Sequence, residues 1–376
     1  MTDAARGDRC DVLIVGGGPA GSSCAWRLAR AGADVLVLDR AEFPRDKVCA
    51  GWITPAVRDA LALDLDDYAR GGRTLQAFTG FRTGGLDGPL RVTDFRKIVS
   101  YGIRRCELDH YLLQRSGARL LTGQALSSLR RTSDGWIANG SIHASMVVGA
   151  GGHFCPVARQ LNPGLDEEHV VAQEVEYRLT PEMAEACQAR GEWPDLFFWP
   201  DLQGYGWCVR KGDYLNVGAG RLSEKAFSAA VRAFQTSLEA RGLLPPGLPA
   251  KWKGHAYVLY RNARRALHDD RLVLIGDAAG VALAPSGEGI LAAVETGLLA
   301  ADAIAQAGPD YSRAALAAYA RLVEARFGPR LAGNARPSSW PAWLTPLATR
   351  ALLNVRWLTR RVLIEDGFLH TRRKDI

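Results

Sequence analysis

The sequence predicts an α/β fold: a parallel sheet flanked by helices, a smaller domain built on a mixed or antiparallel sheet, and C-terminal helices. Three observations predict it. The runs Asp11-Val-Leu-Ile-Val15 and Asp34-Val-Leu-Val-Leu38 are short, apolar and β-branched, as buried parallel strands are, and they bracket a helical stretch with Ala25, Leu28 and Ala29 inward. A third run of the same kind, from Arg271 to Ile275, lies far downstream. Between them, from Val170 to Tyr260, the pattern changes to separated strands rich in Tyr, Trp and Phe, such as Leu196-Phe-Phe-Trp199 and Tyr214-Leu-Asn-Val217.

With 376 residues, the chain exceeds a single domain of ~100 to 200 residues. Residues 8–70, 96–165 and 262–308 are assigned to one discontinuous α/β domain, 71–95 and 166–261 to a β-rich substrate domain, and 309–376 to a helical segment. Ser22 to Ala31 reads as the first helix, and the Gly-rich stretch from Gly71 to Gly88 as the first excursion out of the α/β domain. Arg105 to Leu121 returns as a helix and strand, Ile137 to Val148 as a pair of strands, and a long Ala/Leu helix runs to Ile304. Beyond Pro309 the helices are broken at Pro329, Pro337, Pro341 and Pro346.

Composition narrows the class. At 47% hydrophobic and 23% charged residues, the chain is of ordinary globular make-up. Seven cysteines stand singly, without the pairing or histidine spacing of a zinc site, so no metal is expected and a reducing cytoplasm fits. No apolar stretch precedes Cys10 and no window holds ~18 uninterrupted apolar residues, so neither a signal peptide nor a membrane span is expected. The net charge of +7 resides in the tail, where Arg326 to Ile376 holds ten Lys or Arg against three Asp or Glu. No nucleic-acid-binding signature accompanies it, and no nucleic-acid partner is expected. From Ala348 to Leu363, a helical pattern places Ala351, Leu352, Val355, Leu358 and Val362 on one face, with Arg350, Asn354, Arg360 and Arg361 largely opposite. Such a helix either packs on the domain with a solvated basic face or makes a peripheral contact with the inner face of an anionic membrane.

Gly16, Gly18 and Gly21 have the G-x-G-x-x-G spacing directly after a strand and at the opening of a helix. In that spacing the first glycine permits the tight turn, the second admits a pyrophosphate to the backbone, and the third allows close helix–strand packing. Free N–H groups at the helix start add a partial positive charge. Asp39, 18 residues after Gly21 and followed by Arg40, stands where a ribose-binding acid is expected. The distant Gly276-Asp277-Ala-Ala-Gly280 distinguishes FAD from NAD, because a carboxylate there can hold a ribityl hydroxyl while a second helix N-terminus faces the flavin ring.

Here the chain resembles the flavoprotein superfamily of aromatic hydroxylases, and more closely its geranylgeranyl reductase-like branch. Phe43-Pro-Arg45-Asp-Lys47-Val-Cys49-Ala50-Gly51 is similar to that branch's Pro-Arg-Asp-Lys-x-Cys-Gly-Gly loop beside the flavin, with Ala50 in place of one glycine. Arg105-Cys-Glu-Leu-Asp109 resembles the helix whose Arg reaches the flavin's polar chain. Pro285-Ser-Gly287-Glu-Gly289-Ile290 resembles the turn at the ring, and Tyr205-Gly-Trp207-Cys-Val-Arg210 partly matches a Tyr-x-Trp-x-Phe-Pro motif facing substrate. Gly151-Gly152 and Cys155 replace the superfamily's Asp-Gly pair and nearby Ser, while Val209 and Arg210 replace the Phe and Pro of the substrate motif.

The resemblance implies non-covalent FAD, an apolar small-molecule substrate, and catalytic roles for Cys49, Tyr205 and Trp207. It places the substrate between the flavin and an aromatic sheet around Phe197, Phe198, Trp199, Tyr205 and Trp207. No second G-x-G-x-x-G unit exists, so the reductant is either transiently docked NAD(P)H or a ferredoxin-type carrier. Reduction of a carbon–carbon double bond in an isoprenoid is the leading expectation. A flavin monooxygenase or hydroxylase, a halogenase, and a stress-response flavin-binding protein are the alternatives. His153, His255 and His268 have no ligand or acid partner at recognisable spacing.

Overall fold

The computed structural model describes residues 9–222, 227–245, 251–284, 286–330 and 345–371. Two compact units divide the chain. The first comprises Met1–Arg45, Leu108–Glu168 and Tyr257–Ala332; the second comprises Asp46–Glu107, His169–Ala256 and Gly333–Ile376.

The first unit is built on a sheet whose parallel core runs Leu272–Leu274, Ile142–Gly149, Arg9–Val15, Val35–Leu38 and Arg119–Leu121. Val12 to Val15 and Val35 to Leu38 are buried without alternation, because helices or loops cover both faces of a parallel sheet. Trp136–Ala138 and Leu129–Arg131 extend it antiparallel, so the expected strand pair at 137–148 forms. The first helix, Pro19–Arg30, begins with a proline at its first turn, where the missing N–H costs nothing, and buries Ala20, Cys24, Ala25 and Leu28. Against it lies Ile290–Ala307, whose Gly297 has no room for a side chain: a Cβ there would stand 2.4 Å from the Ala20 carbonyl oxygen. This second helix is long and apolar enough to cross a membrane, but 72% of it is buried, which makes it a core helix of its unit. The arrangement is the doubly wound, Rossmann-type sheet expected.

The second unit holds a seven-stranded mixed sheet, ordered Lys253–Tyr257, Val170–Arg178, Tyr214–Arg221, Gly204–Lys211, Asp195–Phe198, Gly80–Gly85 and Arg91–Asp94. One face is apolar. Tyr177, Phe197, Trp199, Cys208, Leu215, Val217 and Ala219 pack there against Phe227, Val231, Phe234 and Leu238 of the helix Phe227–Ala240. A small sheet of Trp52–Ile53, Ser100–Ile103 and Leu75–Phe78 accompanies it. That pairing is why residues 46–70 and 96–107, assigned from sequence to the α/β domain, fall within the second unit.

The tail differs from its sequence pattern. Instead of one helix, Thr345–Asn354 ends at an extended Val355, and Arg356–Leu358 leads into a wide π-helical stretch, Thr359–Asp366. The break rotates the faces, so Thr349, Leu353, Thr359, Leu363 and Ile364 are the buried residues, while Val355 and Val362 turn outward. Pro337 and Pro341 lie outside the described residues.

Candidate functional site

In the first unit the glycine turn has three distinct environments. Gly16 has φ +117°, a backbone setting that L side chains avoid, and a Cβ would meet the Ala150 carbonyl oxygen at 2.3 Å. Gly21 is closed by packing, since its Cβ would come within 1.9 Å of the Gly16 carbonyl oxygen. Gly18 is different: the nearest atom to a Cβ there is Arg45 Nη2, at an ordinary 3.5 Å. The space over Gly18 is therefore open on the protein side. Gly18 also caps the Pro19–Arg30 helix without any side-chain hydrogen bond, leaving backbone donors for an anion.

Arg45 is held at this turn. Its guanidinium stacks over the Phe43 ring, 4.7 Å from the centroid, and Nη1 lies 3.2 Å from Oδ2 of the fully buried Asp109. Asp39, at the end of its strand, accepts from the N–H groups of Gly17 at 2.7 Å and Ala41 at 2.9 Å. Each oxygen keeps acceptor capacity, so the carboxylate can also receive a ribose hydroxyl. Arg40 beside it is exposed.

The second turn, Gly276–Ala279, is a 3₁₀ turn that follows the Leu272–Leu274 strand. Thr296 Oγ1 accepts from the Gly276 N–H at 3.0 Å, and Arg265 donates to the carbonyls of Asp277 and Ala278 at 3.1 and 3.0 Å. Arg330, largely buried, donates to the Ala279 and Arg265 carbonyls at 2.8 and 2.7 Å. Gly289 caps the Ile290–Ala307 helix, again with no side-chain hydrogen bond, and stands beside Asp277: its Cβ would lie 3.4 Å from Oδ1. Gly287 meets the Tyr257 hydroxyl, and Pro285 lies outside the described residues. Two uncapped helix starts, each with a carboxylate nearby, suit an extended dinucleotide with one anionic and one polyhydroxylic section. The donor set fits FAD.

The second unit carries the remaining sequence candidates. Cys49 is half-buried, and its Sγ accepts from the Gly51 N–H at 3.4 Å. Lys211, fully buried, donates to the carbonyls of Ala50 and Ile103 at 3.2 and 3.0 Å and to Glu176 Oε1 at 2.7 Å. Gly51, at φ +71°, must lack a side chain because a Cβ would come within 2.4 Å of the Ile103 carbonyl oxygen and 2.5 Å of Lys211 Nζ. Burial alone would raise the Glu176 carboxyl, but Lys211 and Arg104 outweigh it and hold it below the usual range. Lys47 is turned to His255, with Nζ 2.5 Å from Nε2, which gives that histidine a partner its spacing did not announce. Arg105 opens the helix Arg105–Gln114, half-buried.

The five aromatic residues expected to line one pocket divide between two faces. Phe197 and Trp199 belong to the apolar core against Phe234. Phe198, Tyr205 and Trp207 project from the other face, Tyr205 packing 5.9 Å from Trp207 and 5.1 Å from Phe368. Side-chain alternation along strands enforces the split. Trp207 donates from Nε1 to Asn216 Oδ1 at 2.7 Å, and Asn216 Nδ2 donates to the Cys49 carbonyl at 3.2 Å, so the aromatic face and the cysteine loop are joined.

Residues 11–92 match the family described as FAD dependent oxidoreductase. A menaquinone reductase of Mycobacterium tuberculosis is 33% identical over 324 residues, which cover 78% of this chain and 76% of that protein. The chloroplastic geranylgeranyl diphosphate reductase of Nicotiana tabacum is 28% identical over 325 residues, covering 80% and 67%. Among solved structures, a geranylgeranyl bacteriochlorophyll reductase-like protein of Thermoplasma acidophilum superposes with a TM-score of 0.74 over 93% of this chain and 88% of its own, at 20% identity, a likeness of fold. A pair of uncapped helix starts that fits FAD, on a fold shared with such proteins and a sequence aligned with reductases over most of its length, leads to one assignment: the chain is a FAD-dependent oxidoreductase and belongs to the flavoprotein family of the geranylgeranyl and menaquinone reductases.

Proposed function

We propose that the protein saturates a carbon–carbon double bond in an isoprenoid or another long apolar substrate. Bound FAD supplies the hydride chemistry, and the chain supplies binding, orientation and exclusion of water. Gly16, Gly18 and Gly21 with Arg45 receive the pyrophosphate, Asp39 the ribose, and Asp277 the ribityl chain, with the Gly287–Ile290 turn at the ring. Cys49, Tyr205 and Trp207 face the substrate. The observation that carries the reading is the Phe198–Tyr205–Trp207 face, tied to the Cys49 loop through Asn216. Aromatic walls bury an apolar chain without demanding hydrogen bonds. The names of the relatives, one acting on a menaquinone and one on geranylgeranyl diphosphate, point the same way.

The test is anaerobic. Chemically reduced enzyme mixed with a geranylgeranyl-chain lipid or a menaquinone should reoxidise and yield a product two hydrogens heavier by mass spectrometry. A product formed only with oxygen, and carrying an oxygen atom, overturns this reading in favour of a monooxygenase. Parallel assays with NAD(P)H and with reduced ferredoxin identify the electron donor.

The tail is proposed to touch an anionic membrane. Trp357 is 66% exposed, and Val355 and Val362 are exposed beside Arg350, Arg356, Arg360 and Arg361. Apolar side chains with a basic surround suit a charged lipid surface, in which such a substrate would dissolve.

A further inference from the structure

The tail reaches back to the aromatic face of the seven-stranded sheet. Beyond the stretch Thr359–Asp366, the N–H groups of Phe368 and Leu369 both donate to the Ile364 carbonyl, at 3.0 and 2.8 Å. That turn buries Phe368, which is only 1% exposed, along with Leu363, Ile364 and Leu369. The segment is fastened rather than loose. Thr349 Oγ1 donates to the Pro200 carbonyl at 2.9 Å, near the end of the Asp195–Phe198 strand, and Thr359 Oγ1 donates to the Leu352 carbonyl at 2.7 Å.

Strand register pairs Phe198 with Tyr205, and sets Leu196, Trp207, Gly218 and Glu174 in the next row of the same face. The indole of Trp207 lies across its neighbouring strand, because a Cβ on Gly218 would stand 2.2 Å from the ring and glycine has none. Phe198 and Tyr205 stack at 5.8 Å with 29° between their planes, which continues this floor. Phe368 is set differently. It meets Tyr205 at 5.1 Å and 77°, and Phe198 at 6.1 Å and 87°, so its ring stands upright on both. Trp52, which directly follows the Cys49–Gly51 loop, packs on it at 6.1 Å. From the Cys49 loop outward, the face therefore runs over Trp207 to Tyr205 and ends against Phe368.

We propose that Phe368 is a specificity-determining residue: it is the end wall of the aromatic face and sets the longest apolar chain that the face accepts. The inference rests on the reading that this face receives the substrate's chain, and adds what limits it. An apolar chain gains affinity with each group it buries along the floor. Once its tip meets an upright, tightly packed ring, further carbons must turn away and gain nothing. Replacing the ring by a methyl group opens apolar space between Trp52, Phe198 and Tyr205, and such space takes apolar ligands.

The experiment titrates oxidised, FAD-loaded protein with geraniol, farnesol, geranylgeraniol and geranylfarnesol, and reads the dissociation constant of each from the change in the flavin spectrum. For wild type, affinity should rise with chain length up to a limit and then level off. Phe368→Ala should move that limit to a longer alcohol, binding the first chain beyond the wild-type limit roughly tenfold tighter than wild type does. Phe368→Trp, with a larger ring, should move it to a shorter one, a reversal that general loosening of the fold does not produce. Should Phe368→Ala fail to fold, Phe368→Leu takes its place with the same direction of shift. A limit shared by wild type and the variants overturns the proposal, and so does equal tightening at every length, which would make Phe368 a competitor for the whole face. If no alcohol perturbs the wild-type flavin, the apolar-chain reading fails and the end wall with it. The double-bond reading is judged apart, by anaerobic reoxidation: alcohols that bind with shifted limits but give no product two hydrogens heavier count against reduction and support the end wall.

Discussion

At the scale of single residues, the glycine turn separates cofactor loss from misfolding. Gly18→Val places a side chain in space the protein leaves open, so the variant should fold with near-native stability and purify without flavin. Gly21→Val drives a Cβ into the Gly16 carbonyl and should lower the melting temperature whether or not flavin is supplied. Absorbance at 450 nm and a thermal melt on the two variants check both outcomes, and a yellow Gly18→Val protein would sink the pyrophosphate assignment. Trp207→Phe keeps the ring but removes the donor to a buried Asn216, an omission that costs about 1 to 3 kcal/mol. It should retain FAD and show a changed flavin spectrum on adding an isoprenoid. The three glycines were legible in the sequence because their roles are encoded in spacing along one turn. Glu174, Asn216 and Lys211 were not: Asn216 and Lys211 sit on consecutive strands, but their carboxylate partners Glu174 and Glu176 lie 42 and 35 residues earlier, on the strand Val170–Arg178. Arg265 and Arg330 are of the same kind: nothing local to either residue says which carbonyls it will hold.

Among elements, the paired strands and the core helices followed their patterns, and the tail did not. The stretches 12–15, 35–38 and 272–274 are continuous apolar runs, and such runs have one economical use, inside a sheet covered on both faces. The tail pattern assumed an unbroken 3.6-residue period, whereas an extended residue at Val355 followed by π-helical winding shifts every later side chain around the axis. The consequence is a small exposed cluster centred on Trp357 rather than a continuous apolar stripe. Trp357→Ser should therefore reduce binding to anionic liposomes by roughly tenfold, since burying ~60 Å² of its surface contributes about 1.5 kcal/mol. Binding should also weaken as salt rises, because exposed arginine attraction is screened over ~10 Å at 0.1 M ionic strength. Equal flotation of wild type and variant with anionic vesicles would remove the tail from any membrane contact. The aromatic sheet taught a related lesson about period. Treating Phe197, Phe198 and Trp199 as one wall ignored alternation, and the structure hands every second ring to the core.

For the whole molecule, the buried Glu174 makes stability depend on pH in a stated direction. Its folded value of about 7 exceeds the ordinary 4.5, so the folded state binds that proton more tightly than the unfolded chain does. The associated stabilisation is fully present below pH 4.5 and is lost as pH rises through 7, on the order of 3 kcal/mol in all. Melting temperature measured from pH 5 to 8 should fall more steeply for wild type than for Glu174→Gln, and parallel curves would contradict the assignment.

The discontinuity of the first unit bears on how the protein is made. Its sheet opens with Arg9–Val15, but the neighbour two strands away, Leu272–Leu274, and the Gly276–Ala279 turn emerge from the ribosome only after the whole of the aromatic sheet. Arg330, which grips that turn through the Ala279 carbonyl, emerges later still. A nascent chain therefore exposes its first glycine turn long before it owns the second, and closing the sheet across so long a loop is a slow, non-local event. Flavin capture becomes a late step of synthesis, and chains released before residue 272 should be colourless even in excess FAD, whereas extension past residue 330 should restore the yellow protein. For the cell this sets an order of events, in which cofactor supply is read only after residue 330 has been made and an apo chain is the species that chaperones and proteases meet first.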